Sequence, residues 1–142
     1  MNAEELMRKL TKDATRTEPQ DYSQACGRLQ DQRTVRLLHA AMGMATESGE
    51  FLDQLKRHIF YGKEIDVTNI VEEIGDSTWY ERIGLDAIDV ELLEAIQLNV
   101  SKLKARFPDK FTERDAINRD LDNERRILEA GEYIDGYTES IG

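Results

Sequence analysis

The chain has 142 residues, enough for one domain with a modest core, and its formal net charge of −10 argues against a nucleic-acid polymer as partner. Its single cysteine, Cys26, excludes an intrachain disulfide and fits a reducing compartment. The sequence has no secretory-type apolar segment near its start and no run long enough to span a bilayer. We therefore expect a cytoplasmic protein that does not enter a membrane.

Residues 1–33, about the first quarter of the chain, come before the strongest helical pattern. Residues 3–14 are predicted to form a short helix with Leu6, Met7 and Leu10 on its apolar side. Residues 15–33 contain Pro19 and Gly27, which interrupt regular structure. We interpret residues 1–33 as a helical lead-in to the main domain.

A long helix is predicted from Thr34 to about Phe60. Thr34 can cap its start, and the turn after it contains Gly62. Its apolar residues recur with helical spacing and form one stripe. The stripe consists of Leu38, Met42, Ala45, Leu52 and Ile59.

Three further helices follow. The second is predicted to begin at Asp66 or Thr68 and to end near Ile83, with Gly84 as its stop. The third is predicted to start at Asp86 or Asp89 and to end at about Arg106, ahead of Pro108. The fourth is predicted to run from Thr112 to about Ala130. Residues 131–142 contain three glycines and little apolar content, so they are predicted to form a mobile tail. Because no strand-like alternation occurs, the prediction is an all-α domain over residues 34–130, with helices joined by short turns.

Two similar acidic motifs lie within the first two long helices. They are Glu47-Ser48-Gly49-Glu50 and Glu73-Ile74-Gly75-Asp76. Residues three apart share a helix face, so each motif directs two carboxylates the same way. A glycine inside a helix lowers helix stability by about 1 kcal/mol relative to alanine, so a glycine at the same place in both motifs needs a reason. We predict that the reason is a close approach of the two helix backbones at Gly49 and Gly75.

A cluster of four carboxylates needs cations to offset their repulsion. Mg²⁺ and Mn²⁺ prefer carboxylate oxygens and water, and Mg²⁺ shares its coordination shell with substrate phosphates. With one cysteine and two histidines in the chain, the expected nucleophile is an activated water rather than a side chain. A single acidic pair of this spacing is usually only a solvated helix face; the repetition on consecutive helices favours a metal site.

The stretch from about Leu37 to Thr112 resembles the MazG-like, all-α nucleoside triphosphate pyrophosphohydrolases, particularly the short phage and bacterial type. The similarity covers about half the chain. It comprises the run from His39 to Glu50, the run from Glu72 to Asp76 with Trp79-Tyr80, and the segment from Asn99 through Lys102 to Arg106 and on to Phe111.

This resemblance implies a four-helix-bundle-like unit in a homodimer or homotetramer. It implies that Glu47, Glu50, Glu73 and Asp76 hold Mg²⁺, with Mn²⁺ as a possible substitute. Water would attack the α-phosphorus of a nucleoside triphosphate, and Glu72, Glu47 or Glu50 would orient or deprotonate it. The residues that would contact the substrate are Tyr80, Asn99, Lys102 and Arg106, with Lys56 and Lys63 as helpers.

An alternative hypothesis is that the protein has the same fold but no catalytic activity. The chain would then be a helical oligomer that binds nucleotide or a protein partner. The intact acidic quartet argues against this alternative, and turnover in the presence of Mg²⁺ distinguishes the two.

Overall fold

The computed structural model describes residues 1–19 and 21–130, and all regular structure in these residues is helical. The all-α prediction is therefore confirmed. None of these helices combines the length and apolar character that a bilayer crossing needs. The predicted mobile tail, 131–142, lies outside the described residues. The helices are α1 (Ala3–Thr15), α2 (Ser23–Arg28), α3 (Gln32–Tyr61), α4 (Val67–Asp86), α5 (Leu92–Arg106), α6 (Glu113–Ile117) and α7 (Leu121–Glu129).

The chain divides into two compact units, Met1–Val35 and the remainder from Arg36. In the first unit, a capping box starts α1: the Asn2 side chain accepts from the Glu5 N–H at 2.8 Å, and the Glu5 carboxylate accepts from the Asn2 N–H at 3.0 Å. The apolar side chains predicted on α1 are all exposed.

An antiparallel pair of helices, α3 and α4, dominates the second unit. Residues 62–66 connect them: Gly62 adopts φ +63°, and Asp66 caps α4 by accepting from the Asn69 N–H at 3.1 Å. Small and polar residues line the contact between the helices. From one end of the pair to the other, the contacts are Arg36 with Asp86, Ala40 with Gly84, Gly43 with Tyr80, Glu47 with Glu73, and Gln54 with Asn69.

The large apolar side chains of the same helices point away from this contact. Leu38, Met42, Leu52 and Ile59 are 45–67% exposed, so the predicted stripe exists but faces outward. Val67, Val71 and Ile74 of α4 are also exposed. Within the described residues, the buried apolar side chains are Ala40, Ala87 and Val90. This unit therefore pairs its two long helices through polar and small residues and leaves much apolar surface uncovered.

The predicted boundary at Gly84 is wrong, because α4 continues to Asp86. Gly84 packs against α3: an added Cβ would lie 3.3 Å from the Ala40 Cβ, so this glycine provides close packing rather than a stop. The chain turns later, where Asp89 adopts φ 58° and the Val90 N–H donates to the Leu85 carbonyl at 3.0 Å. As a result α5 begins at Leu92, not at Asp86 or Asp89.

The predicted fourth helix is interrupted. Its start is confirmed, since Thr112 Oγ1 accepts from the Asp115 N–H at 3.0 Å. The helix ends at Ile117, and a new cap at Asp120 starts α7 by accepting from the Asn123 N–H at 3.0 Å. After the break, α7 packs against α5.

Candidate metal centre

Three of the four predicted metal ligands converge between α3 and α4. Glu47, Glu73 and Asp76 each offer a carboxylate oxygen, and these three oxygens lie within 4.8 Å of one another. Glu47 comes from α3, and the other two come from α4 one turn apart. The antiparallel register therefore brings together carboxylates that are 26 or more residues apart in the sequence.

The three carboxylates differ in their access to water. Glu73 is only 4% exposed, Glu47 is half-buried, and Asp76 is exposed. The cluster thus has a buried floor at Glu73 and an open side at Asp76. The carboxylates are therefore accessible to solvent from the Asp76 side.

Burial raises the pKa of the Glu73 carboxyl above its usual value. A hydrogen bond with Glu47 and the negative charges of Glu50 and Glu47 raise this pKa further. The amide of Asn69 acts in the opposite direction, because it donates to Glu73 Oε1 at 2.7 Å and favours the ionised carboxylate. Ionising Glu73 here is therefore less favourable than in water, and a nearby cation would offset part of that cost.

A side-chain chain of hydrogen bonds leads to Glu73 from the other helix. Gln54 Nε2 of α3 donates to Asn69 Oδ1, and Asn69 Nδ2 donates to Glu73 Oε1. Asn69 was not among the residues predicted from the sequence. Its position four residues before Glu73, on the same helix face, is a signal that could have found it.

Glu50 and Glu72 lie outside the group of three. Glu50 is exposed, but it is close enough for its charge to raise the pKa of Glu73. Glu72 is exposed on α4, next in sequence to the buried Glu73. Their expected roles, as a ligand and as a base for water, remain predictions.

The predicted close approach of backbones at Gly49 and Gly75 is wrong for this chain. A Cβ added at either glycine would meet no atom within 4 Å. The close contact occurs instead at Gly43, where an added Cβ would fall 2.2 Å from Tyr80 Cδ1. The helices approach one turn away from the acidic motifs, on the face that the motifs share with Gly43.

The six residues predicted to contact the substrate differ in their neighbours and in their exposure. Tyr80 packs on Gly43 and meets His39 edge to face, with 5.6 Å between ring centroids. Asn99 lines an apolar groove that also includes Met44, Glu81 and Leu92. Lys56 pairs with Asp53, Arg106 is bound by Glu124, Lys102 is half-buried on α5, and Lys63 lies exposed in the loop after α3.

The donor set suits a hard divalent cation. Three carboxylates with one open side match the oxygen ligands and retained waters that Mg²⁺ requires. The buried position and raised pKa of Glu73 mean that a cation would relieve an existing electrostatic cost. Glu47, Glu73 and Asp76 could thus hold Mg²⁺, with Glu50 adjacent.

Comparison of the chain with protein-family models, with curated proteins and with solved structures gives no match.

Proposed function

We propose that this protein is a Mg²⁺-dependent nucleoside triphosphate pyrophosphohydrolase of the MazG-like type, which converts a nucleoside triphosphate to a monophosphate and pyrophosphate. The observation that supports this most is the convergence of Glu47, Glu73 and Asp76 within 4.8 Å, open on one side. These are ligand positions that the resemblance implies. The sequence resemblance supplies the substrate class.

In this proposal Glu47, Glu73 and Asp76 hold the cation, and Mg²⁺ supplies neutralisation of the triphosphate charge and polarisation of the scissile phosphoanhydride. Asp76 lies at the exposed edge, where the phosphates enter. Glu73 lies at the buried floor and keeps its carboxylate in one place through Asn69. The ligand positions are thereby set before the substrate arrives.

The carboxylates next to the cation site activate the attacking water molecule. Glu50 or Glu72 orients a water molecule and accepts its proton as the water oxygen bonds to the α-phosphorus. The bond between the α-phosphorus and the bridging oxygen breaks, and pyrophosphate leaves with that oxygen. Lys102 offsets part of the negative charge that the phosphates bring.

We also propose that the protein works as a homodimer or homotetramer. The exposed apolar residues of α3 and α4 support this, because soluble monomers rarely expose apolar patches of more than a few hundred Å². Because α3 and α4 pair through their polar faces, their apolar faces stay exposed, and a second copy of the chain could bury them. Covering these faces would add the apolar core that Ala40, Ala87 and Val90 alone do not provide.

Pyrophosphate release from a panel of ribo- and deoxynucleoside triphosphates, with Mg²⁺ and with chelator, tests the reaction. We expect Mg²⁺-dependent release with the monophosphate as co-product. Glu47→Gln and Asp76→Asn should abolish release while preserving the helical circular-dichroism signal. Glu64→Gln, an exposed acid in the loop, is the matched control.

Two results would overturn the proposal. One is full activity in Asp76→Asn or Glu47→Gln, which would remove the carboxylate cluster from the reaction. The other is nucleotide binding without turnover across the panel, which would favour the non-catalytic helical oligomer.

A further inference from the structure

The hydrogen-bonded chain from Gln54 through Asn69 to Glu73 crosses from α3 to α4 and ends on the buried carboxylate of the candidate metal centre. Asn69 and Gln54 are both half-buried, and Glu73 is 4% exposed. The link from Gln54 to Asn69 joins two helices, whereas the link from Asn69 to Glu73 lies within α4. The chain therefore depends on the packing of α3 against α4 as well as on the local geometry of α4.

The backbone of Asn69 is held independently of its side chain. Its N–H donates to the Asp66 carboxylate that caps α4, at 3.1 Å. Asn69 also lies one helical turn before Glu73, so its side chain reaches Glu73 Oε1 at 2.7 Å without distorting the helix. The amide donor is therefore placed by the same cap that starts the helix.

The direction of the Asn69 amide follows from its partners. A primary amide has an acceptor at one end and donors at the other. Gln54 donates to the acceptor end, so the donor end faces Glu73. Glu73 Oε1 thereby accepts from Asn69, and one oxygen of the same carboxylate lies within 4.8 Å of carboxylate oxygens of Glu47 and Asp76.

We propose that Asn69 is a positioning residue of the metal centre: it restrains the Glu73 carboxylate so that one oxygen is presented to a divalent cation, and Gln54 satisfies its other end. This inference rests on the cation site of the proposed function. Outer partners that orient metal ligands typically contribute about 10–100-fold to metal affinity. The same range is expected for Asn69.

The test measures Mn²⁺ affinity by electron paramagnetic resonance and Mg²⁺ affinity by calorimetry, without nucleotide, together with melting temperature in chelator. Asn69→Leu removes the donor to Glu73. Gln54→Met removes the contact between helices but leaves Asn69 able to donate to Glu73. Asn118→Leu, which makes the same side-chain change in the segment between α6 and α7, is the matched control.

We expect Asn69→Leu to weaken Mn²⁺ binding by about tenfold or more, and Gln54→Met to weaken it by much less, although both lower the melting temperature. Unchanged Mn²⁺ affinity in Asn69→Leu would overturn the inference. Equal losses in the two variants would also overturn it, in favour of a purely structural role. Gln54→Met separates the two roles because it weakens the helix pair without removing the donor.

The wild-type protein separates this inference from the proposed reaction. If the wild type binds no Mn²⁺, the cation site itself fails and Asn69 positions nothing. If the wild type binds Mn²⁺ and Asn69→Leu weakens that binding, but no nucleotide is hydrolysed, then the proposed reaction fails and the role of Asn69 stands.

Discussion

Gly43 of α3 lies directly against the ring of Tyr80 of α4, so close that a Cβ built on Gly43 would fall 2.2–2.4 Å from three ring carbons. This contact lies one turn from Glu47 on α3 and one turn from Asp76 on α4. It therefore helps to set the separation of the two helices that carry the carboxylates. Any side chain at position 43 would push the helices apart beside the cluster.

Gly43→Ala should destabilise the protein by about 1–3 kcal/mol, because overpacking against a ring forces backbone shifts. The matched controls are Gly49→Ala and Gly75→Ala, where an added Cβ meets nothing within 4 Å. These should stabilise by up to about 1 kcal/mol through helix propensity. Urea denaturation of the three variants measures both effects. An unchanged or raised stability in Gly43→Ala would contradict the observed contact.

Glu73→Gln should raise the melting temperature at neutral pH in chelator. The raised pKa of Glu73 means that the folded protein binds this proton more tightly than the unfolded chain, so stability is lost as pH rises through the folded pKa. Glutamine removes that charge and keeps an acceptor for Asn69. Mg²⁺ should raise the melting temperature of the wild type but not of the variant. Equal Mg²⁺ effects in both proteins would count against Glu73 as a ligand.

A second buried carboxylate, Glu124 of α7, joins the C-terminal helices. Arg106 donates to its two oxygens at 2.8 and 2.5 Å, and Arg119 donates to the same oxygens at 3.2 and 2.6 Å. Glu124→Gln would leave the largely buried Arg106 guanidinium without its counter-charge, so we expect a marked fall in melting temperature. Glu129→Gln, which removes an exposed pair with Arg125, should change it little.

The same carboxylate predicts an acid transition. The two guanidinium groups lower the pKa of Glu124 from 4.5 to about 2. Its contribution to stability is therefore present above pH 4.5 and is lost as pH falls from 4.5 towards 2. Between pH 4.5 and 2 the wild type should lose stability because Glu124 becomes protonated. The Glu124→Gln variant should lack this contribution to its acid denaturation. A wild-type and variant pair with parallel acid denaturation curves would contradict this assignment.

Leu52→Glu should lower the oligomeric state. Leu52 is 66% exposed on the outward stripe of α3, so a charge at this position should change the stability of a monomer little. The same charge buried in an apolar interface would strongly destabilise that interface. Light scattering coupled to size exclusion measures the mass. Glu113→Gln, on the exposed start of α6, serves as the comparison. If the wild type is a monomer, the stripe serves another purpose and the proposed assembly is wrong.

Local patterns in the sequence determine where most helices begin. The caps at Asp66 and Thr112 depend on hydrogen bonds within one helical turn. The 3.6-residue spacing from Leu38 to Ile59 also depends only on helical geometry. Both can therefore be predicted from the sequence without knowledge of the fold. The cap at Asp120 is equally local, and the donor from Asn123 could have predicted the break before α7. Gly84 shows the limit, because a glycine that ends one helix and a glycine that packs against another chain segment look alike in sequence.

The sequence by itself also determined that each acidic motif directs its carboxylates to one side of a helix. Only the tertiary structure decided which carboxylates meet, because the register of α3 against α4 brings Glu47 to Glu73 and Asp76 and leaves Glu50 beside them. It likewise decided that the helices pair through Gly43 rather than Gly49. Helical periodicity fixes directions around one axis, but the distance and rotation between two axes depend on side-chain packing across them.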